Sequence, residues 1–267
     1  MGRTRRNPPT NPKAPKLDND RLPLTQHLAE LRTRIARILI AWIVCAVLAW
    51  NYSELIFGYL LDPAVAALSE GERTLQAIAP TEIFFTYLKC AALAGFVISL
   101  PVIFWQIWAF VAPGLYANER KAVVPFVVTS SLLFTGGAIF GYTMVFPLMF
   151  DFFTQFDSDF VESAWTMREV FNLTTRLFLA FGIAFELPVL VFFLSITGIV
   201  DARTLLKKTP YAVLCVFIAA AILTPPDWVS QIFLGIPMVA LYLLGVGVAY
   251  MFGGSKRTRA KSEQVPS

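Results

Sequence analysis

IFFTYLKCAALAGFVISLPVIFWQIWAFV, residues Ile83–Val111, carries a single charged side chain, Lys89. As an α-helix this run would be about 43 Å long, well beyond the ~30 Å hydrocarbon core of a bilayer. Lipid offers no partner to an exposed peptide group, so a run of this kind satisfies its backbone internally, as a helix. Working outward, four further runs have the same character: Ile35–Trp50, Val123–Phe150, Val170–Ile196 and Val229–Phe252. A sixth, Tyr211–Leu223, would be only about 20 Å long and too short to cross an average bilayer unaided. Composition agrees, with 57% hydrophobic and 15% charged residues against about 25% charged in a soluble domain. The expectation is an all-α polytopic membrane protein of six transmembrane helices.

The charges between the runs set an orientation. Eight Lys or Arg lie between Met1 and Arg34, and four more (Lys256, Arg257, Arg259, Lys261) follow Phe252. Ala112–Ala122 adds Arg120 and Lys121, and Thr197–Pro210 adds Arg203, Lys207 and Lys208. The alternate loops are acidic: Asn51–Glu82 and Asp151–Glu169 hold five acids each and one basic residue each, Arg73 and Arg168. Basic residues stay on the cytoplasmic side, so both termini are expected there. The domain reading is a basic, disordered cytoplasmic tail over 1–22, a transmembrane domain over 23–252 and a basic cytoplasmic tail over 253–267. The net charge of +4 then reflects topology and contact with membrane lipid, with no basic, aromatic-interleaved domain for nucleic acid.

Cys45, Cys90 and Cys215 lie inside apolar runs without metal-ligand or CxxC spacing and are read as packing residues, so no metal and no cofactor is expected. Arg5-Arg6 is followed by no apolar region and cleavage site at secretory-signal distance. Pro101, Pro125, Pro147, Pro188 and Pro237 punctuate the runs, each removing a backbone donor and bending its helix; bent helices make a curved wall. Thr224-Pro225-Pro226-Asp227 ends the short run, and Asp227 is placed to cap the next helix. A re-entrant hairpin over 211–252 fits the charge pattern equally well.

Arg37, Lys89 and Arg176 stand close enough to span ends to snorkel to the interface. Glu186 is roughly 15 Å further along its helix than Arg176, too deep for a carboxylate to reach water. It must be protonated, paired or open to a wet cavity. Glu30 and Glu119 are acids in basic cytoplasmic surroundings. Local pairing, Glu30 with Arg34 and Glu119 with Arg120 or Lys121, accounts for each taken alone.

Five segments together resemble the TatC family, the large subunit of the twin-arginine protein translocase. They are His27–Arg34 (HLAELRTR), Leu100-Pro101 with Gln106–Phe110 (QIWAF), Pro113–Tyr116 (PGLY) with Glu119-Arg120, Phe181–Pro188 (FGIAFELP) and Leu223–Gln231 (LTPPDWVSQ). The likeness covers about Leu24 to Phe252, in order and in register. It implies a glove-shaped six-helix scaffold, N-in and C-in, in the bacterial cytoplasmic membrane. It further implies a receptor for twin-arginine signal peptides of folded cargo. That receptor works with TatA- and TatB-type single-span partners and further copies of itself, and transport is driven by the proton-motive force. By position, the resemblance gives Glu30, Glu119, Arg32 and Phe110 to signal-peptide binding and Glu186 to the concave face. Asp227 falls in the last periplasmic turn, and Thr224 and Gln231 near partner docking.

Two other function classes compete. A solute transporter would explain Glu186 and the kinks but calls for more intramembrane acids. An intramembrane enzyme lacks parts: the only histidine, His27, precludes a Ser-His pair in the spans or an HExxH zinc site.

Overall fold

The computed structural model describes residues 24–68, 74–111, 123–156, 165–225 and 227–262, with side chains described from 28 to 251. Ten α-helices and one π turn make up this part: α1 (Leu24–Trp50), α2 (Ser53–Ala67), α3 (Pro80–Val111), α4 (Val123–Phe140), the π turn Gly141–Val145, α5 (Phe146–Thr154), α6 (Met167–Ala184), α7 (Leu187–Ile196), α8 (Ala202–Lys207), α9 (Thr209–Leu223) and α10 (Trp228–Ser262). Five stretches are long and apolar enough to cross a membrane, and α9, at 15 residues, is the shorter apolar helix.

The tail over 1–22 and the segment holding Glu119 lie outside the described residues. Two of the expected proline bends take a definite form. Val170–Ile196 is divided at Phe185-Glu186, because Pro188 supplies no N–H and enters α7 in its first turn. Val123–Phe150 contains the π turn, where Phe146 N–H donates to Gly141 O. Pro147 follows at once; its ring would strike the carbonyl four residues back, and the wider turn gives it room. The loop read between Asn51 and Glu82 contains the whole of α2, with Pro63 inside it. Cys90 is buried, as packing requires, whereas Cys215 is exposed on α9.

Packing follows the logic of helices in lipid, where small residues let backbones approach. α1 and α3 run antiparallel, shown by successive contacts: Arg34 with Gln106, the Trp42 indole N–H on Ala92 O at 2.7 Å, and Trp50 edge-on to Phe84. A Cβ on Gly95 would collide with the Ala46 backbone, so this pair is in backbone contact. Reciprocal close approaches join α4 to α6: a Cβ on Gly137 would sit 2.6 Å from Phe181 O, and one on Gly182 would sit 2.5 Å from the Phe134 ring. The α6–α7 stretch is the centre of the bundle, half of its apolar window being buried against 6% for α1. Phe146, Met149, Phe171, Leu177 and Phe181 form the core there.

The ends of the bundle differ. At the end carrying the start of α3 and of α6, an isolated parallel bridge pairs Gln76 with Thr166, through Gln76 N–H to Trp165 O at 3.0 Å and Met167 N–H to Gln76 O at 2.9 Å. Glu82 reinforces it, accepting from Arg168 N–H at 2.9 Å and from Ile78 N–H at 3.1 Å. At the opposite end, side chains make the ties, such as Tyr242 Oη–H to Leu205 O at 2.9 Å.

Candidate functional site

The first polar constellation lies where α1 begins and α3 ends. Glu30 and Arg34 are one helical turn apart on α1, which brings their side chains together. Arg34 donates from Nε at 3.1 Å and from its terminal nitrogen at 2.5 Å, both to Glu30 Oε1. The guanidinium also reaches Gln106 Oε1 on α3 at 3.5 Å. Oε2 of Glu30 accepts no hydrogen bond among the described residues, and the side chain is 35% exposed. One oxygen is thus held and the other is presented. Phe110 lies one turn past Gln106, half-buried on the same face of α3. Arg32 is exposed on α1. The contact of Arg34 with Gln106 escapes sequence reading, because no local spacing connects residues 72 apart.

Glu186 occupies the break between α6 and α7 and is half-buried. Its carboxyl lies beside Ser130 and the Phe134 backbone of α4, while Oε1 is buried without a hydrogen-bond partner. Ser130, fully buried, also accepts from the Trp108 indole N–H at 3.1 Å. Trp108 stacks on Phe126 and packs edge-on against Phe193. A polar thread therefore runs from α3 near the first constellation to the mid-span acid. Nothing in the sequence pairs Trp108 with Ser130, 22 residues away.

The third group surrounds the start of α10. Asp227 caps that helix, Ser230 N–H donating to its Oδ1 at 2.6 Å, as the sequence anticipated. Gln231 ties α10 to α9 through its side-chain amide on Phe217 O at 2.9 Å. Thr224 Oγ1–H donates back to Ala220 O at 2.9 Å and lines a cavity of about 650 Å³ with Trp165, Glu169 and Arg176. Glu186 is absent from that lining. Among the described residues no group of His, Cys, Asp and Glu is arranged to hold a metal.

Long apolar helices, polar residues gathered at the helix ends and one acid at a mid-span break define a polytopic helical membrane protein. The family model described as Sec-independent protein translocase protein (TatC) matches residues 26–237. A Sec-independent protein translocase protein TatC of Desulforapulum autotrophicum is 41% identical over 239 residues, spanning 90% of this chain and 88% of the relative. That of Escherichia coli K12 is 38% identical over 240 residues, spanning 90% and 93%. Among solved structures, a twin-arginine translocase receptor, TatC, superposes with a TM-score of 0.76 at 31% identity, covering 84% of this chain and 98% of that one. The chain belongs to the TatC family of Sec-independent protein translocase subunits, which are transport components rather than enzymes.

Proposed function

We propose that the chain is the signal-peptide receptor of a twin-arginine translocase, with Glu30 and Glu119 each taking one arginine of the signal. The observation that carries this is the half-occupied carboxylate of Glu30, fixed by Arg34 at Oε1 and open at Oε2. It faces the end of α3, from which the chain continues directly into the segment holding Glu119. Arginine presents a planar fork that pairs with carboxylate in a two-pronged way, which lysine cannot imitate. Phe110 and Arg32 flank the same region and would contact residues beside the arginine pair.

The scaffold is six-spanning in this reading, with α9 as the short fifth span and both termini cytoplasmic. The basic tails 1–22 and 253–267 bracket the transmembrane domain 23–252. TatA- and TatB-type single-span proteins dock near Thr224 and Gln231, further copies of the chain join the complex, and the proton-motive force drives export. Glu186 serves on the concave face and Asp227 in the periplasmic turn. The receptor name carried by a similar structure supports the reading as a receptor, and the acidic-versus-basic alternation of loops supports the orientation.

The test is the affinity of a purified twin-arginine signal peptide for the chain in nanodiscs. A charged hydrogen bond is worth about 1.5–3 kcal/mol, so Glu119→Gln and Glu30→Gln should each weaken binding roughly ten- to a hundredfold. Replacing both signal arginines by lysine should do the same. Unchanged affinity in both single variants would place the site elsewhere.

A further inference from the structure

The 650 Å³ cavity at the bridged end of the bundle has a wall of Phe150, Phe153 and Leu223, interrupted by polar side chains, three of them, Glu169, Asn172 and Arg176, from α6. Their three- and four-residue spacing puts these polar groups on a single face of α6, with Arg176 two turns below Glu169. Arg176 makes no hydrogen bond or ion pair among the described residues. Its Cα lies about 14 Å along α6 from the first residue, inside the apolar stretch Met167–Ile196. A guanidinium at that depth requires an anion or a route to the interface, and its long stem carries the charge up toward headgroup level.

We propose that this cavity holds an aminophospholipid of the adjoining leaflet, with its phosphate on Arg176, its ammonium toward Glu169 and one acyl chain along the apolar wall. The guanidinium fork matches phosphate oxygens. Glu169, nearer the surface, repels a headgroup that is only anionic and attracts one that also carries an amine. The volume falls within the roughly 300–1,000 Å³ typical of small-molecule sites. The aromatic and aliphatic wall suits a hydrocarbon chain and offers nothing to free phosphate. This occupant does not depend on where the signal peptide binds.

Native mass spectrometry of the purified full chain, titrated with phosphatidylethanolamine, phosphatidylglycerol or inorganic phosphate, tests the assignment. Phosphatidylethanolamine should be retained in preference to phosphatidylglycerol. Arg176→Gln should lower its affinity roughly tenfold, consistent with loss of a charge-assisted pair. Glu169→Gln should narrow the preference between the two lipids without abolishing binding. Asn172→Trp, which sets a bulky ring between Glu169 and Arg176 on the same face and leaves Arg176 in place, should weaken lipid retention, and it decides the matter if Arg176→Gln does not fold. Retention at unchanged affinity in Asn172→Trp, or in a folded Arg176→Gln, overturns the proposal. Displacement of the lipid by millimolar inorganic phosphate also overturns it, since the site would then be one for anions in general.

Discussion

Glu30 and Asp227 are both acids near a helix start, yet their surroundings ask different things of them. Glu30 has one oxygen unpaired on a side chain that is 35% exposed, whereas Asp227 gives Oδ1 to the Ser230 N–H and keeps Oδ2 buried without a partner. Asp227→Ala should therefore cost about 0.5–2 kcal/mol of stability, the usual value of a lost N-cap, read as thermal unfolding of the full chain in detergent. Asp227→Asn should keep most of that stability; if it also keeps transport, the negative charge has no separate task. At Glu186 the question is access. In a background without Cys45, Cys90 and Cys215, Glu186→Cys should react with a small water-soluble thiol reagent if the break between α6 and α7 is wet. Protection both at rest and with cargo bound would remove the wet reading. For Glu30 and Glu119, the double variant should weaken signal binding by less than the two single effects combined, as expected for groups gripping one motif. The pairing of Glu30 with Arg34 was legible from i,i+4 spacing, and the capping by Asp227 from its place after two prolines. The Ser130 hydroxyl beside Glu186 was not, because serine in an apolar run carries no mark of what will pack against it.

α9 is the element whose length matters most. Its 15 residues rise about 22 Å, against a hydrocarbon thickness of ~30 Å, and a short span is relieved by local thinning of the bilayer. Lengthening it by three or four apolar residues should impair export while leaving signal-peptide affinity unchanged. Normal export by a correctly inserted, lengthened variant would sink the idea. The long runs of the other spans were plain in the sequence because hydropathy over 18 or more residues has few alternative explanations. α2 was missed for a physical reason: SELIFGYLLDPAVAA has apolar content enough for a span but not the length, and Glu54, Asp62 and Pro63 read as loop. The Pro188 and Pro147 kinks were expected, yet sequence alone could not say that one would divide a helix and the other would widen a turn. Beside the widened turn the ring of Phe181 occupies the space next to Gly141, a contact between residues with no local spacing to announce it.

The whole molecule has an orientation that labelling can check. With native cysteines removed, Ser158→Cys, in an acidic loop, should react with a membrane-impermeant maleimide on intact cells, and Ser267→Cys only after lysis. The reverse pattern would invert the topology read from loop charges. The two ends of the bundle also differ mechanically. Where Gln76 meets Thr166, main-chain hydrogen bonds and the doubly engaged Glu82 fasten the entry of α3 to that of α6. At the far tip of α3 no such main-chain bridge occurs among the described residues; side chains hold it there, Arg34 of α1 on Gln106 at 3.5 Å and the Trp108 indole on Ser130 of α4 at 3.1 Å. A tie made of main chain outlasts most exchanges of side chain, whereas one made of side chains goes with a single substitution. One end of the bundle is therefore written in the backbone and the other in the sequence, which leaves the end carrying Glu30 the easier to rewrite.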